Sequence, residues 1–142
     1  MYVTLTRKSV AVILGAVIIS LILLGQIFSI NAGGIDGSTN EKRLQYLNGL
    51  GISVAETATN LKTVKIPQEF SDVYKKYNSL QQKAGFDLAN YKGKTVEIYT
   101  YLCQDQPQKE VHLMVYKGNI IGGDVSETMI NGQMTALKRN DK

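Results

Sequence analysis

The stretch that decides the fold runs from Thr95 to Val125 and reads TVEIYTYLCQDQPQKEVHLMVYKGNIIGGDV. It contains three runs rich in β-branched and aromatic residues, at 95–103, 110–116 and 119–125. The first two runs are joined through Pro107, and the last two are joined tightly around Gly118. Short connections with turn-forming residues favour antiparallel pairing. The stretch therefore predicts an antiparallel meander of three strands.

The pairing of these strands predicts which side chains share a face. We expect Cys103 to lie opposite Glu110, which places Tyr101 opposite His112. In that register one face of the sheet is aliphatic and forms the core. The other face carries five side chains that we call the Tyr/His/Met face and treat as a candidate binding surface: Tyr99, Tyr101, His112, Met114 and Tyr116.

The sequence leaves two interpretations open for this second face. In the first, the helices and the carboxyl-terminal tail cover both faces of the sheet. We favour it because apolar strand positions are usually buried. In the second, the Tyr/His/Met face is exposed, and an exposed apolar patch of this kind marks an interaction site.

The same stretch contains the residues that invite a catalytic interpretation. In the expected register the Cβ atoms of Cys103 and His112 are diagonal neighbours roughly 7–8 Å apart, which is long for a nucleophile and its base. Gly122 and Gly123 sit in a strand with no helix behind them, so we expect a β-bulge at a sheet edge instead of a phosphate loop. One His, one Cys and the isolated Asp124 do not make a metal site. We therefore expect no catalytic residues, no metal and no cofactor.

Upstream of the meander, residues 69–84 predict an amphipathic helix. Its apolar residues recur at helical spacing and form one stripe: Phe70, Val73, Tyr74, Tyr77, Leu80 and Ala84. Gly85 follows at the position where a glycine commonly ends a helix. Residues 62–66 alternate apolar and polar side chains, as in a short strand.

Residues 39–50 predict a second amphipathic helix. Ser38 and Glu41 have the spacing of a capping box, with Ser38 as the N-cap. Gly51 is suited to end the helix, which would let Ile52 fold back on Leu47. The predicted fold is therefore α+β, with two amphipathic helices and an antiparallel sheet of three to four strands.

Further upstream, the segment Val10–Ile30 contains no charged residue. As a helix its 21 residues span roughly 32 Å, enough for the hydrocarbon core of a bilayer. Arg7 and Lys8 precede it, and the next basic residue is Lys42, so the amino terminus is expected in the cytoplasm. A cleaved signal peptide is the alternative, but its apolar region is usually about 7–15 residues long.

The predicted organisation has five parts. They are a cytoplasmic tail at 1–9, a transmembrane anchor at 10–30, a Gly-rich linker at 31–37, an exported domain at 38–137 and a flexible tail at 138–142. The formal net charge of +4 includes Arg7 and Lys8, and no basic block of nucleic-acid-binding type is present. A single cysteine excludes an internal disulfide, which suits an exported protein of a Gram-positive bacterium.

Several phrases of the sequence resemble a known family when they are taken together. They are RLQYL at 43–47, GISV at 51–54, IPQEF at 66–70, GFDL at 85–88, VYKG at 115–118 and IGGDV at 121–125. Over residues 41–137 the chain resembles the domain-of-unknown-function 4830 family of single-pass proteins from clostridia-like Gram-positive bacteria. The resemblance implies an anchored topology and a bacterial source, and it brings no catalytic motif.

These observations favour a non-catalytic interaction or sensing module on the outer side of the cell membrane. Its expected partners are the lipid bilayer, through residues 10–30, and a protein or peptide of the cell envelope. The alternative is a domain that binds a small ligand or peptide through the Tyr/His/Met face. A Cys-dependent enzyme is the least favoured function.

Overall fold

The computed structural model of the chain describes residues 34–138. The predicted cytoplasmic tail, the predicted anchor at 10–30 and the first part of the predicted linker lie outside the described residues, as do residues 139–142 of the predicted flexible tail. Between residues 34 and 138, no helix combines the length and the hydropathy needed to cross a bilayer.

The described residues form an α+β fold with two helices and an antiparallel sheet of six strands. In chain order the elements are β1 (Ile35–Asp36), α1 (Asn40–Gly49), β2 (Asn60–Lys65), α2 (Asp72–Lys83), a 3₁₀ turn (Leu88–Tyr91), β3 (Thr95–Leu102), β4 (Lys109–Tyr116), β5 (Asn119–Glu127) and β6 (Met134–Ala136). The strand order is β1-β5-β4-β3-β2, and β6 pairs with the later part of β5. The predicted fold class is confirmed, but the sheet has more strands than the predicted three to four.

The helix starts lie slightly later than predicted. The N-cap of α1 is Thr39, whose hydroxyl accepts a hydrogen bond from the Lys42 amide, so the predicted N-cap Ser38 is wrong by one residue. Ser38 instead donates its hydroxyl hydrogen to Asp36 at 2.7 Å. Helix α2 begins after the N-cap Ser71. In both helices the side-chain oxygen of the cap satisfies an amide that has no partner within the helix.

Both glycine-terminated helix ends are confirmed. Gly51 and Gly85 adopt φ values of +75° and +86°, which glycine reaches without steric penalty. The Ile52 amide then donates to the Leu47 carbonyl at 3.0 Å, as expected for a Schellman closure. Ile52 and Leu47 are both buried in the same apolar cluster.

Helix α2 packs the predicted apolar stripe against the core through residues such as Tyr74 and Tyr77, but the prediction is wrong for one member of the stripe and missed two buried polar residues. Val73 belongs to the predicted stripe but is 78% exposed, whereas Asn78 and Gln81 are buried. Asn78 accepts a hydrogen bond from the Leu88 amide at 2.8 Å, and Gln81 accepts one from the Gly123 amide at 2.8 Å. Buried amides without a partner are unfavourable, so the helix turns these two polar side chains inward.

Two short strands extend the sheet beyond the prediction. Ile35 and Asp36 pair with Ile120 and Asn119, so part of the predicted linker at 31–37 belongs to the sheet. At the other end, β6 follows a turn in which Asn131 has a φ of +65°, consistent with the turn expected near Asn131. Strands of two or three residues are too short for alternation to be recognised in the sequence.

The predicted register between β3 and β4 is wrong by one residue. Leu102, not Cys103, pairs with Glu110, and Thr100 pairs with His112. The Cys103 amide donates to the Lys109 carbonyl at 3.0 Å, so the connection consists of residues 104–108 and is one residue shorter than expected. A one-residue change moves every side chain of a strand to the opposite face.

Each face of the sheet packs against one helix, which confirms the favoured interpretation that both faces are covered. The α1 face has a core that includes Leu47, Tyr101 and Leu113. The α2 face has a core that includes Leu88 and Met114, with Tyr74 and Tyr77 packed against it. The two faces differ in chemistry, because the core of the α2 face gives way to polar side chains over part of the sheet.

Candidate functional site

The candidate site lies on the α2 face, where four polar side chains cross the sheet in one line. Thr100 pairs with Asn60 on one side and with His112 on the other, and His112 pairs with Asp124. Paired residues of neighbouring antiparallel strands point to the same side of a sheet. We call these four residues, Asn60, Thr100, His112 and Asp124, the polar row.

A β-bulge brings Asp124 into this row. Strands β4 and β5 begin their pairing with Val115 opposite Ile120, and the register then shifts so that Met114 lies opposite Gly122. Without this shift a different residue would face His112. A bulge was expected at Gly122–Gly123, but the unpaired residue is Ile121, directly before these glycines. Its expected position at a sheet edge is also wrong, because β5 lies between β4 on one side and β1 and β6 on the other.

Asp124 is a buried carboxylate that is fully supplied with donors. Its exposure is 2%. One oxygen accepts the Tyr77 hydroxyl at 2.8 Å, and the other lies 2.7 Å from the Ser126 hydroxyl and 3.0 Å from His112 Nδ1. Such donors offset the loss of water around a buried charge. The Tyr77 contact also fastens α2 to the centre of the sheet.

Tyr77 remains protonated at all physiological pH values. Burial raises the pKa of its hydroxyl well above the ordinary range, and the nearby charge of Asp124 raises it further. A phenol that keeps its proton can act here only as a hydrogen-bond donor to Asp124. Tyr77 therefore holds the carboxylate in place.

His112 is the titratable group of the site. The hydrogen bond with Asp124 raises the pKa of the imidazole most strongly, and burial opposes this effect. The charges of Asp124 and Glu110 raise the pKa further, while Lys62 lowers it. Pairing with a carboxylate assigns a hydrogen to Nδ1. The remaining nitrogen, Nε2, lies 3.7 Å from Glu110, too far for a hydrogen bond.

A cavity of about 230 Å³ opens over the polar row. It is lined by Lys62, Tyr77, Ile98, Thr100, His112, Met114, Asp124 and Met134. Pockets for drug-sized ligands have volumes of about 300–1,000 Å³, so this cavity suits a smaller molecule or a single side chain. Its walls combine three apolar side chains with Thr100, His112 and Asp124 of the polar row.

Thr100 contributes a hydroxyl group to the wall of the cavity. Its side chain is 6% exposed. Its hydroxyl makes no hydrogen bond to any other residue of the described range 34–138. Among residues 34–138, the fully buried side-chain polar atom without a hydrogen-bond partner is Gln81 Nε2, whereas the Thr100 hydroxyl is open to the cavity. Thr100 and His112 are neighbours on paired strands, so two unfilled polar positions lie side by side in the cavity.

The structure separates the five residues of the predicted Tyr/His/Met face. His112 and Met114 line the cavity on the α2 face. Tyr116 lies on the same face but packs edge-on against Tyr91, with 5.7 Å between ring centroids. Tyr99 and Tyr101 lie on the α1 face, because the register differs by one residue from the expected one.

Tyr99 and Tyr101 surround a buried arginine. The Arg43 guanidinium lies 3.6 Å from the centre of the Tyr99 ring and donates to the Tyr101 hydroxyl at 2.8 Å. It also donates to the Gly37 carbonyl at 2.8 Å. A cation over an aromatic face is stabilising, more so when water is excluded. These tyrosines thus anchor the segment that leads into α1.

Cys103 and His112 cannot act together. Cys103 belongs to the core of the α1 face, whereas His112 belongs to the α2 face. The diagonal contact expected between them is therefore wrong, for the same reason of register. Burial raises the pKa of the Cys103 thiol, which disfavours the reactive thiolate. A second cavity, of about 180 Å³, lies beside Cys103 and Lys109.

The sequence reasoning missed Thr100, Tyr77 and Ser126 as members of the site and considered Asp124 only as a metal ligand. One signal was present, since an aspartate inside an apolar strand run requires buried partners. Within residues 34–138 no group of three or more His, Cys, Asp or Glu side chains is placed to hold a metal ion.

A family model described as a domain of unknown function (DUF4830) matches residues 46–125, more than half of the 142-residue chain. The chain belongs to the DUF4830 family. The DUF4830 match contains the whole polar row and ends directly after Asp124, so β1 and β6 lie outside it. No curated protein and no solved structure matches the chain.

Proposed function

We propose that this DUF4830 chain is a membrane-anchored extracytoplasmic module that binds a ligand without transforming it. The ligand is a small molecule, or a side chain of an envelope peptide or protein, and it occupies the cavity over the polar row. The observation that carries this proposal is a cavity in which the Thr100 hydroxyl and the His112 imidazole lie side by side on paired strands. A ligand with one polar group would satisfy Thr100 and His112 together.

The cavity also favours a particular shape of ligand. Ile98, Met114 and Met134 supply apolar walls, and methionine side chains adapt to different outlines. Lys62 adds a charge on the edge strand β2. The ligand best suited to these walls is amphipathic, with an apolar body and one polar end.

The arrangement of hydrogen bonds around His112 supports the non-catalytic part of the proposal. A histidine backed by a buried carboxylate is a common general base. Here, however, the Ser126 hydroxyl donates to Asp124 and not to His112, and Tyr77 donates to the same carboxylate. Among the described residues, no hydroxyl or thiol nucleophile forms a hydrogen bond with the imidazole.

Anchoring of the chain in a Gram-positive cell membrane is supported by the uncharged segment 10–30 and by Arg7 and Lys8 before it. Protease added to intact cells should digest the domain after residue 34 and leave a membrane-embedded amino-terminal fragment. Protection of the domain until the cells are lysed would show that the proposed orientation is wrong.

The ligand proposal can be tested through His112, because the chain contains one histidine and its Cε1 proton gives a single NMR resonance. The full chain in lipid nanodiscs is screened against small carboxylates, amines, amides and short peptides. For a compound that shifts this resonance, Thr100→Val should weaken binding roughly three- to tenfold, since one neutral hydrogen bond contributes about 0.5–1.5 kcal/mol.

Thr63→Val is the matched control. Thr63 lies on the exposed opposite face of β2, so its replacement should leave the affinity unchanged. The proposal fails if no compound shifts the His112 resonance. It also fails if Thr100→Val and Thr63→Val bind the same compound equally well.

A further inference from the structure

The cavity over the polar row offers a positive charge that no neighbouring residue pairs. Lys62 forms part of its wall and lies exposed on the edge strand β2. Between residues 34 and 138, its ammonium group makes no hydrogen bond and no ion pair. An ammonium group supplies three hydrogen-bond donors and no acceptor. A ligand in the cavity therefore meets a donor group that is free to bind it.

Asp124 supplies the negative charge of the cavity but has little capacity left for a ligand. Its two oxygens already interact with Tyr77, His112 and Ser126. An ionised carboxylate accepts about four hydrogen bonds, so most of its capacity is used within the domain. Its exposure of 2% also leaves almost no surface for a ligand to contact. A cationic ligand would therefore find no free acceptor on Asp124.

The other ring nitrogen of His112, Nε2, changes its hydrogen-bonding role with protonation. Because Asp124 holds a hydrogen on Nδ1, Nε2 is an acceptor in the neutral imidazole and a donor in the imidazolium. The charged and titratable groups around the ring are Asp124 on β5, Glu110 on β4, Lys62 on β2 and Tyr77 on α2. The hydrogen bond with Asp124 is the largest influence and raises the pKa of His112. The wall residues of β3 and β6 do not titrate.

We propose that the cavity binds the carboxylate group of an amphipathic ligand and that His112 takes up a proton from solvent as the carboxylate binds. The inference rests on the proposed function and specifies the polar end of its ligand. The carboxylate accepts hydrogen bonds from the Lys62 ammonium, the Thr100 hydroxyl and the His112 imidazolium. Glu110 lies 3.7 Å from Nε2, beyond hydrogen-bond range, so it leaves the Nε2 hydrogen to the ligand.

Proton uptake gives the affinity a defined dependence on pH. Between about pH 6 and pH 9 a ligand carboxylate and Lys62 keep their charges, since their ordinary pKa values are about 4 and about 10.4. Carboxylate affinity is therefore highest below the pKa of His112 in the folded domain and falls as pH rises through it, by at most about tenfold per pH unit. Linkage is reciprocal, so a bound carboxylate moves the titration midpoint of His112 to higher pH.

The test compares ligands that share an apolar chain and differ in their polar end. Hexanoate, hexanamide and hexylamine are titrated into the full chain in lipid nanodiscs, and the His112 Cε1 resonance reports binding in the cavity instead of partition into lipid. At about pH 6 we expect hexanoate to bind roughly five- to tenfold more tightly than hexanamide, because charge-assisted hydrogen bonds are the stronger ones. Toward about pH 9 the affinity of hexanoate should fall, whereas that of hexanamide should change little, because an amide can donate or accept.

A pair of lysine variants tests the contribution of the ammonium group. Lys62→Met should weaken hexanoate binding roughly two- to fivefold, as expected for an exposed ion pair, and leave hexanamide binding unchanged. Lys65→Met is the matched control, since Lys65 is also exposed on β2 but lies on the opposite face of the sheet. It should change neither affinity. Equal effects of the two substitutions on hexanoate would show that Lys62 does not hold the carboxylate.

The outcomes separate this inference from the proposed function. Hexanamide or hexylamine binding as tightly as hexanoate at about pH 6 overturns the carboxylate assignment and leaves the cavity as a binding site. A hexanoate affinity that is independent of pH, or a His112 midpoint that does not rise when hexanoate binds, overturns the proton uptake. If another compound of the screen shifts the His112 resonance but none of these three does, the inference fails and the proposed function stands. Both fail if no compound shifts it.

Discussion

At the scale of single residues, His112 makes the stability of the domain depend on pH. Its pKa is raised in the folded state, first by the hydrogen bond with Asp124, so the folded domain binds the proton more tightly than the unfolded chain. The resulting stabilisation is complete below the ordinary histidine pKa of about 6.5 and is lost as pH rises through the raised value.

We therefore expect urea unfolding between pH 6 and pH 8, a window of about two units around the ordinary histidine pKa, to show falling stability that His112→Asn largely removes. An NMR titration of the single histidine should give a midpoint above about 6.5. A midpoint below that value would show that burial outweighs the Asp124 contact. Asp36 and Asp87, whose pKa values are lowered by hydrogen bonds, contribute in the acidic range and do not obscure this window.

At the scale of elements, the part of β5 between the bulge and Asp124 requires a glycine at position 123. A Cβ on Gly123 would lie 2.6 Å from the His112 carbonyl oxygen and 2.8 Å from Leu137, which real contacts do not reach. We expect Gly123→Ala to destabilise the domain by about 1–3 kcal/mol, as overpacking does. It should also change the His112 resonance, because the carbonyl it meets belongs to that residue.

Gly49→Ala is the control for this substitution. Gly49 lies in α1, and a Cβ there meets nothing within 4 Å. Alanine is the better helix former, so Gly49→Ala should stabilise the domain by about 0.5–1 kcal/mol. Equal urea midpoints for Gly123→Ala and the wild-type chain would show that β5 can shift to accommodate the added methyl group. The close contact at Gly123 would then not be what holds Asp124 in place.

At the scale of elements, the sequence predicts the helices and long strands but not the way in which the strands pair. Helices α1 and α2 and the three long strands follow local rules of spacing and capping, so the sequence predicts them. The register between β3 and β4 depends on whether the loop before Lys109 contains five or six residues. The alternation of apolar and polar side chains along the strands does not distinguish these two loop lengths. The polar row joins strands from Asn60 to Asp124 through two such registers and a bulge. The site was therefore not predictable even though His112 was recognised.

At the scale of the whole molecule, the amino-terminal boundary of the domain lies earlier than expected. The sequence placed it at residue 38, whereas the structure includes β1 and Gly37 in the folded unit. The Gly37 carbonyl accepts from the buried Arg43 guanidinium, and its amide donates to the Gly118 carbonyl at 2.9 Å. Removing Gly37 would leave a buried charged donor without its backbone acceptor.

Two truncated chains test this boundary, one beginning at Gly34 and one at Ser38. The longer chain should be more stable by about 2–3 kcal/mol, because a hydrogen bond to a charged group contributes about 1.5–3 kcal/mol and the β1 pairing adds to it. Urea unfolding followed by circular dichroism measures the difference. Arg43→Met should reduce the difference in stability between the two chains, because the shorter chain then no longer contains a buried guanidinium that lacks its acceptor. Equal stabilities would place the boundary at residue 38 and reduce β1 to a passive edge of the sheet.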